Sequence, residues 1–429
     1  MRVPLLHGWV PVLVSIAGLL ALGGLLIDVR RPWWWRRLPI AIGVAAVATV
    51  GLTLFSNKIW QPFPDALPLE VVLLLGATVL AVSAAAFRWT LVRPRWRALL
   101  PAAAVVVLVS CLSAVNLAFG QYPTLRSLVG GPLDAEVAFG PANQPSELVE
   151  PPPGHPVAEV WQRPADLPDH GAVATVTIPG TTSGFHPRSA VVYLPPAYLT
   201  RPRARLPVLV MVTGQPGSPR DWFTGGQLAV RLDAFAAAHD GLAPVVVVPD
   251  VLGGPLANPL CLDSPLGNAA SYLDSDVPAW VDATLHADRD RHRWAIGGYS
   301  SGGTCALQAG IRSPRTYPTV VDISGQDEIT LGSRADTARA AFGGDQAALT
   351  AAEPLAQLGR CRLEGSAAMV FVGDHDSVYR PQQERVTDAL RAAGADAELV
   401  TLHGRHSWAV WGPAVDRALP WLATRQGLS

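Results

Sequence analysis

The chain has 429 residues, of which 49% are apolar and only 16% are charged. Its 33 basic residues are balanced by 34 acidic ones, so no basic field exists to hold a nucleic-acid backbone, and nucleic-acid binding is not expected. This length suits two or three domains, and the excess of apolar residues indicates that one of them lies in a membrane.

Four apolar runs, nearly free of charge, fill the first 120 residues. They extend over residues 5–27, 38–55, 69–87 and 99–119. A helix of about 20 residues crosses the hydrocarbon core of a bilayer. We therefore predict a membrane region with four transmembrane helices over residues 1–120, and the lipid bilayer is its expected partner.

Charges in the connecting loops predict the orientation of these helices. The loops after the first and third runs carry arginines, namely Arg30, Arg31, Arg36, Arg37, Arg88, Arg93, Arg95 and Arg97. The loop after the second run holds Lys58, Asp65 and Glu70. Because positively charged loops stay in the cytoplasm, the N-terminus and everything after residue 119 are expected outside the cell. A cleaved signal peptide is disfavoured, since the first cationic cluster follows its apolar run instead of preceding it.

Two further segments follow the membrane region. Residues 121–171 are rich in proline and glycine and show no sustained periodicity, which is typical of an irregular linker. Residues 172–429 alternate short β-branched runs with stretches rich in alanine and leucine. Strands are predicted over residues 172–178, 190–194, 208–212, 245–248, 294–296, 319–323, 369–372 and 398–402. Helices are predicted over residues 228–238, 277–285, 303–312, 382–393 and 413–423.

This alternation of strands and helices predicts an α/β fold for the last 260 residues or so. A mostly parallel sheet covered by helices on both faces is the architecture that such an order favours. The first two strands are joined without a helix, so they are expected to be antiparallel.

The sharpest local signal is Gly298-Tyr299-Ser300-Ser301-Gly302, between a predicted strand and a predicted helix. A serine in a strained strand-to-helix turn needs residues without side chains two positions away on either side, because side chains there would clash. Ser300 is therefore the predicted nucleophile.

A serine nucleophile needs a histidine as base and a carboxyl group that orients the histidine. In an α/β fold with such a strand-to-helix serine turn, the carboxyl residue follows the serine in sequence and the histidine comes last. Asp374 and Asp376 follow the seventh predicted strand, and His403 and His406 follow the eighth. Asp376 is preferred because it lies deeper in its loop, whereas Asp374 can hold the loop by accepting backbone N–H groups. His406 is preferred because the Gly-Arg step before it lets the loop curl back over the sheet.

Acyl transfer also needs two backbone N–H donors for the oxyanion. The first expected donor is Ser301, directly after the nucleophile. The second is expected in the loop after the third strand, at Gln215, since Pro216 has no N–H. The alternative is that this loop is an ordinary turn.

At these residues the chain resembles the esterase D / antigen 85 branch of the α/β-hydrolases, which includes serine esterases and the mycolyltransferases of actinobacterial cell envelopes. The resemblance covers roughly residues 172–425. It rests on residues 298–303, residues 318–325 and the stretch His406-Ser407-Trp408-Ala409-Val410-Trp411-Gly412, which is similar to a His-Ser-Trp stretch ending in Trp-Gly in antigen 85 proteins. It implies an α/β-hydrolase fold with Ser300 as nucleophile and His406 as base.

The chain also departs from that family. An acidic residue and an arginine that help mycolyltransferases bind trehalose correspond here to Thr213 and Pro216, so trehalose binding is not expected. The family's catalytic glutamate is replaced by Asp376, and its members are secreted after signal cleavage, whereas this chain keeps four apolar runs. These differences indicate a relative of the mycolyltransferases outside their enzyme group.

Cysteines and aromatic residues leave two questions open. Cys261 and Cys305 lie in the part expected outside the cell, where they can form a disulfide or remain buried thiols. Asp221, Trp222 and Trp408 can line a substrate pocket or belong to the core.

The histidines show no zinc-binding spacing. His239, His286, His292 and His375 are scattered along the chain. Neither a metal nor a cofactor is therefore expected.

Together these features predict a membrane-anchored, extracytoplasmic serine esterase acting on an ester or acyl-lipid of the cell envelope. One alternative is an acyltransferase that delivers the acyl group to a sugar or lipid hydroxyl of the envelope. Another is a non-catalytic binding module on the same fold, which the ordered serine, aspartate and histidine disfavour. The sequence does not encode an oligomeric state that we can decode.

Overall fold

A computed structural model describes residues 3–60 and 65–429 of the protein. The chain forms two compact units, one over residues 1–131 and the other over residues 132–429. Each unit is described separately below.

The N-terminal unit contains four long helices, close to the four predicted runs. These are α1 (Trp9–Leu26), α2 (Leu38–Leu54), α3 (Leu69–Arg88) and α4 (Leu99–Phe119). Each lies in a helical segment long and apolar enough to cross a membrane. Large apolar side chains point away from the bundle, for example Leu19 and Leu20 at 70% and 71% exposure. Such a surface is unfavourable in water and matches the hydrocarbon core of a bilayer.

Small residues let these helices pack closely. Ala41, Ala45, Ala81 and Ala84 are buried between helices. A Cβ atom on Gly18 of α1 would lie only 2.2 Å from the Ser110 Oγ of α4, so the two backbones approach each other where neither carries a large side chain. Packing through small residues is the usual way in which membrane helices associate.

The C-terminal unit is built on an eight-stranded sheet. Its strands are β1 (Ala172–Val176), β2 (Ala190–Leu194), β3 (Val208–Val212), β4 (Val245–Val248), β5 (Trp294–Tyr299), β6 (Thr319–Ile323), β7 (Ala367–Gly373) and β8 (Asp396–Leu402). They are ordered β1-β2-β4-β3-β5-β6-β7-β8 across the sheet. Strand β2 is antiparallel to both neighbours, as expected for β1 and β2, and the other pairs are parallel. The predicted α/β fold is therefore confirmed.

Helices follow most of the strands. The longer ones are α5 (Leu228–Ala237), α6 (Val277–Thr284), α7 (Ser301–Arg312), α8 (Arg334–Phe342), α9 (Gln346–Ala352), α10 (Pro354–Leu358), α11 (Arg380–Ala392) and α12 (Trp408–Arg425). Short helical turns occur at Leu125–Leu128, Phe139–Ala142, Pro196–Leu199, Asp221–Thr224 and Ala269–Ser271. Helix α12 begins before Pro413, the residue at which the sequence suggested its start.

The sequence patterns missed α8, α9 and α10. Their apolar residues are too few to produce a helical period. Helices α8 and α9 contribute Ala338 and Leu349 to a small separate cluster, whereas Leu358 of α10 is buried in the main core. Their start signals were nevertheless present, since the side chains of Ser333 and Asp345 accept backbone N–H groups at the starts of α8 and α9.

Residues 132–171 differ from the expected linker, because they pack onto the C-terminal unit. Val157 and Trp161 are buried in its core. The N–H of Val137 donates to the carbonyl of Val173 in β1, and that of Val157 donates to the carbonyl of Gly427. Proline and glycine make this segment irregular, but these contacts make it part of the folded unit.

Candidate active site

Ser300 lies in the sharp turn between β5 and α7, with a φ of 56°. A Cβ atom on Gly298 would lie 2.2 Å from the carbonyl oxygen of Gly302, and one on Gly302 would lie 2.5 Å from that of Val212. These approaches are to backbone atoms, so the glycines on both sides of the serine are needed to form the turn. The Ser300 N–H donates to the carbonyl of Ile323 in β6 (2.8 Å), which holds the turn at the carboxyl edge of the sheet.

A buried carboxyl group supports this turn from below. Asp322 in β6 is fully buried, and its oxygens accept the N–H of Gly325 (3.0 Å) and the Nε2 of Gln383 in α11 (3.2 Å). Burial raises the pKa of Asp322 to about 7, although both hydrogen bonds act in the opposite direction. A Cβ atom on Gly303 would lie 2.4 Å from Asp322 Oδ1, so the first turn of α7 rests directly on this carboxyl.

The structure brings Ser300, His406 and Asp376 together, although they follow three different strands. His406 Nε2 lies 3.0 Å from Ser300 Oγ, and His406 Nδ1 lies 3.0 Å from Asp376 Oδ2. The Asp376 side chain is almost fully buried, whereas that of His406 is 25% exposed. The other oxygen of Asp376 accepts the N–H of Tyr379 (3.0 Å), which fixes the carboxylate toward the imidazole.

Two aromatic rings hold the imidazole of His406. The Tyr379 ring stacks on it with centroids 4.0 Å apart, and Trp411 of α12 meets it edge-on at 5.0 Å. The sequence patterns did not identify Tyr379. Its position three residues after Asp376, at the start of α11, is the signal that could have suggested it, because that position faces back toward the same loop.

Asp374 and His403, the alternatives to Asp376 and His406, are not part of these hydrogen bonds to Ser300 and His406. Asp374 accepts the N–H of Gly404 (2.8 Å) and lies 3.1 Å from His403 Nδ1. Both interactions lower the pKa of Asp374, and the hydrogen bond from the Gly404 N–H has the larger effect. Asp374 therefore ties the loop of the acid to the loop of the base, which is the holding role that the sequence offered as its alternative.

The expected oxyanion donors lie on adjoining segments. Ser301 is the first residue of α7, where backbone N–H groups have no acceptor within the helix. A Cβ atom on Gly214 would lie 2.7 Å from the Tyr299 ring, so the loop that carries Gln215 packs against the residue before the nucleophile. The peptide between Gln215 and Pro216 is cis.

Arg188 holds residues 213–217, here called the oxyanion loop after their expected role, and it was not singled out in the sequence. Its guanidinium donates to both oxygens of Asp250 at 2.7 and 2.9 Å, and to the carbonyl of Gly217 at 2.8 Å. Asp250 is completely buried, so the pair forms a fixed support behind residues 213–217.

A small pocket opens beside the start of α7. Its lining includes Thr213, Ser301, Thr304, Cys305, Gln308 and Gln326. Of the two alternatives for the cysteines, the structure has the disulfide, which ties Cys261, in the connection between β4 and α6, to Cys305 of α7 with Cα atoms 5.3 Å apart. This disulfide forms part of the pocket wall.

Of the three side chains for which pocket and core were both open, the two tryptophans are buried and Asp221 is partly buried. Trp222 is fully buried and its indole N–H donates to the carbonyl of Val212 (3.1 Å). Trp408 packs edge-on against it with centroids 5.4 Å apart, and Asp221 accepts the N–H of Ser218 (2.9 Å). The two tryptophans belong to the core beneath the oxyanion loop, because their large apolar surfaces are buried there.

Comparisons with known proteins agree with this architecture. The model of the Esterase family matches residues 185–422. The chain is 34% identical over 427 residues to the uncharacterized protein Cgl0967/cg1104 of Corynebacterium glutamicum, covering 97% of this chain and 96% of that protein. A ferulic acid esterase has a TM-score of 0.53 at 20% identity, covering 61% of this chain and 100% of its own. An S-formylglutathione hydrolase from Agrobacterium tumefaciens has a TM-score of 0.49 at 19% identity, covering 60% of this chain and 96% of its own.

Proposed function

The chain belongs to the esterase family, whose model covers more than half of it, and we propose that it is a membrane-anchored serine esterase that acts outside the cell. The observation that carries this proposal is the position of the His406 ring. One ring nitrogen lies 3.0 Å from Ser300 Oγ and the other lies 3.0 Å from the buried Asp376 carboxylate. This arrangement suits a base that takes the serine proton while the carboxylate stabilises the resulting imidazolium.

The reaction then has two halves. His406 Nε2 accepts the Ser300 proton as Oγ attacks the ester carbonyl carbon, and the N–H groups of Ser301 and Gln215 stabilise the oxyanion. The tetrahedral intermediate expels the alcohol, which takes the proton from His406, and leaves an acyl group on Ser300. In the second half, His406 Nε2 takes a proton from the water that attacks the acyl carbon. The bond from that carbon to Ser300 Oγ then breaks, His406 returns the proton to Oγ, and the carboxylic acid is released.

Retention at the membrane favours an ester or acyl-lipid of the cell envelope as substrate. Four helices of sufficient length and apolarity support anchoring. The arginines of the first and third connecting loops support a cytoplasmic position for those loops, and hence an outer position for the esterase-family part. The disulfide between Cys261 and Cys305 supports the same location, since disulfides persist in oxidising compartments.

Acyl transfer is the second candidate, in which a hydroxyl of an envelope sugar or lipid replaces water in the second half. The specific observation that favours it is His406-Ser407-Trp408, the stretch in which the chain resembles the antigen 85 proteins. Both reactions share the acyl-enzyme, so only the acceptor distinguishes them.

The test is a burst assay with p-nitrophenyl esters on the detergent-solubilised full-length protein. We expect a burst of p-nitrophenol close to one equivalent in the wild type, and none in Ser300→Ala. The matched control is Ser313→Ala, at the far end of α7, which should retain the burst. Added envelope sugars or lipids would accelerate the slow phase and form a new ester only if acyl transfer operates. Equal bursts in wild type and Ser300→Ala would contradict the proposed nucleophile.

A further inference from the structure

Three side chains with metal-binding groups converge at the carboxyl edge of the sheet. One ligand atom from each of Asp374, His375 and His403 lies within 4.8 Å of the other two. Asp374 and His375 follow β7, and His403 follows β8. The sequence showed no zinc-binding spacing, because the third ligand lies on a separate strand connection and is brought in only by the pairing of β7 with β8.

Both imidazoles turn the same nitrogen toward one carboxylate. His375 Nδ1 lies 3.0 Å from Asp374 Oδ1, and His403 Nδ1 lies 3.1 Å from Asp374 Oδ2. The two ring centroids are 5.0 Å apart and the rings are nearly perpendicular. Two imidazole nitrogens and a carboxylate oxygen are ligands that zinc prefers, and three protein ligands with water in the fourth position form an open zinc site.

The backbone beneath these side chains is fixed. The N–H of Gly404 donates to Asp374 Oδ1 (2.8 Å), and the N–H of His375 donates to the carbonyl of Gly404 (2.9 Å). The side chains of His375 and His403 are 61% and 84% exposed. An ion therefore reaches the cluster directly from solvent, and little of the fold needs to rearrange to bind it.

We propose that Asp374, His375 and His403 form a binding site for a divalent transition-metal ion, with zinc as the preferred ion. Each imidazole binds the ion through Nδ1 in its neutral form and keeps its remaining proton on Nε2. An imidazolium present at lower pH releases one proton to solvent on binding. The ion links the loop that leads to Asp376 with the loop that leads to His406. This site is separate from the proposed ester chemistry, and its existence does not depend on that chemistry.

The test uses the full-length protein in detergent, purified without a histidine tag. Calorimetry with Zn²⁺ and visible absorption with Co²⁺ measure binding directly. We expect one equivalent of ion to bind and to raise the apparent Tm. His403→Ala and His375→Ala each remove a ligand, so each should weaken binding by at least about tenfold, the lower end of the loss seen when even an outer partner of a metal ligand is removed.

His155→Ala is the matched control. His155 Nδ1 also faces a carboxylate, Glu159, at 2.6 Å, but the described residues include no third ligand group beside this pair. We expect this variant to bind the ion as the wild type does. Circular dichroism without metal verifies that each variant is folded. Binding of less than one equivalent to the wild type, or equal binding by wild type and His403→Ala, would overturn the proposal.

Discussion

The chemistry of the site depends on different environments for neighbouring carboxyl groups. Asp376 is almost fully buried and directs one oxygen to His406 and the other to a backbone N–H. Asp374 is more exposed and accepts the Gly404 N–H of the next loop. A buried carboxylate has few partners, so its interaction with the imidazole is strong and directional. The more exposed carboxylate of Asp374 mainly accepts a backbone hydrogen bond that holds the next loop in place.

Substitution of these two aspartates should separate their roles. We expect Asp376→Asn to lower kcat by about 10⁴-fold, because an amide cannot stabilise the imidazolium or hold its tautomer. Asp374→Asn should lower kcat by less than about tenfold, since the amide oxygen still accepts the Gly404 N–H. Steady-state kinetics with a p-nitrophenyl ester measure both effects. A larger loss in Asp374→Asn than in Asp376→Asn would reverse the assignment of the acid.

Asp322 predicts a pH dependence of stability. Burial raises its folded-state pKa to about 7, above its ordinary value of 3.8, so the folded protein holds this proton more tightly than the unfolded chain does. Its contribution to stability is therefore complete below about pH 4 and is lost as the pH rises through about 7. The apparent Tm of the wild type should fall more steeply over this interval than that of Asp322→Asn.

The control for this comparison is Asp388→Asn, because the Asp388 side chain is 80% exposed. Its apparent Tm should follow the pH dependence of the wild type. Equal slopes for the wild type and Asp322→Asn would show that the buried carboxyl does not titrate in this range.

Individual site residues differed in how far the sequence predicted them. Ser300 and His406 were predictable because a nucleophile turn has a local glycine pattern and the base follows a strand late in the chain. Arg188 and the convergence of His375 with His403 were not predictable, because each depends on a contact between segments that are far apart in sequence. Tyr379 was missed, although its position three residues after Asp376 could have suggested it. The choice of Asp376 over Asp374 rested on loop depth; in the structure Asp376 lies 3.0 Å from His406 Nδ1, and Asp374 accepts the Gly404 N–H.

At the scale of elements, the loop after β3 depends on a partner from outside it. Arg188, in the connection before β2, binds the buried Asp250 after β4 and the Gly217 carbonyl of the oxyanion loop. Removal of the guanidinium would leave a buried carboxylate without its counter-ion. The cost of a broken buried pair far exceeds that of an exposed one.

Arg188→Ala should therefore lower the free energy of unfolding by about 3–5 kcal/mol. Arg391→Ala is the matched control, because Arg391 pairs with Asp388 at an exposed position, and it should cost less than about 1 kcal/mol. Denaturant unfolding in detergent followed by tryptophan fluorescence compares the two. A similar small loss in both variants would show that Arg188 does not hold the oxyanion loop.

Most elements of the sheet were predictable, because buried strands such as β3 and β4 are continuous β-branched runs. Strand β5 extends three residues beyond its predicted end, through the glycines before Ser300, because pairing with β6 compensates for their low strand preference. Residues 132–171 were expected to be a linker because local patterns do not report that an irregular segment packs on a distant surface.

At the scale of the whole molecule, one chain combines a unit with four apolar helices and an esterase-family unit. The Corynebacterium glutamicum relative aligns with 97% of the chain, so the similarity includes the helical unit. Under the proposed anchoring, the esterase-family unit would meet a substrate at the membrane surface at a raised effective concentration.

Reporter fusions test the proposed orientation. Alkaline phosphatase is active only outside the bacterial cytoplasm, so a fusion after Ser429 should be active. A fusion after Arg95, in the arginine-rich loop between α3 and α4, should be inactive because that loop is expected in the cytoplasm. Comparable expression of the two fusions is verified by immunoblotting. The reverse pattern of activity would place the esterase-family unit in the cytoplasm.

The most direct test of the central claim is to identify the nucleophile by covalent labelling. The full-length protein is treated with a fluorophosphonate that reacts with activated serines, and the adduct is located by peptide mass spectrometry. We expect about one equivalent of label, on Ser300, with much slower labelling in His406→Ala. Ester turnover that persists with no label on Ser300, or a label on another residue, would contradict the assignment of Ser300 as the nucleophile.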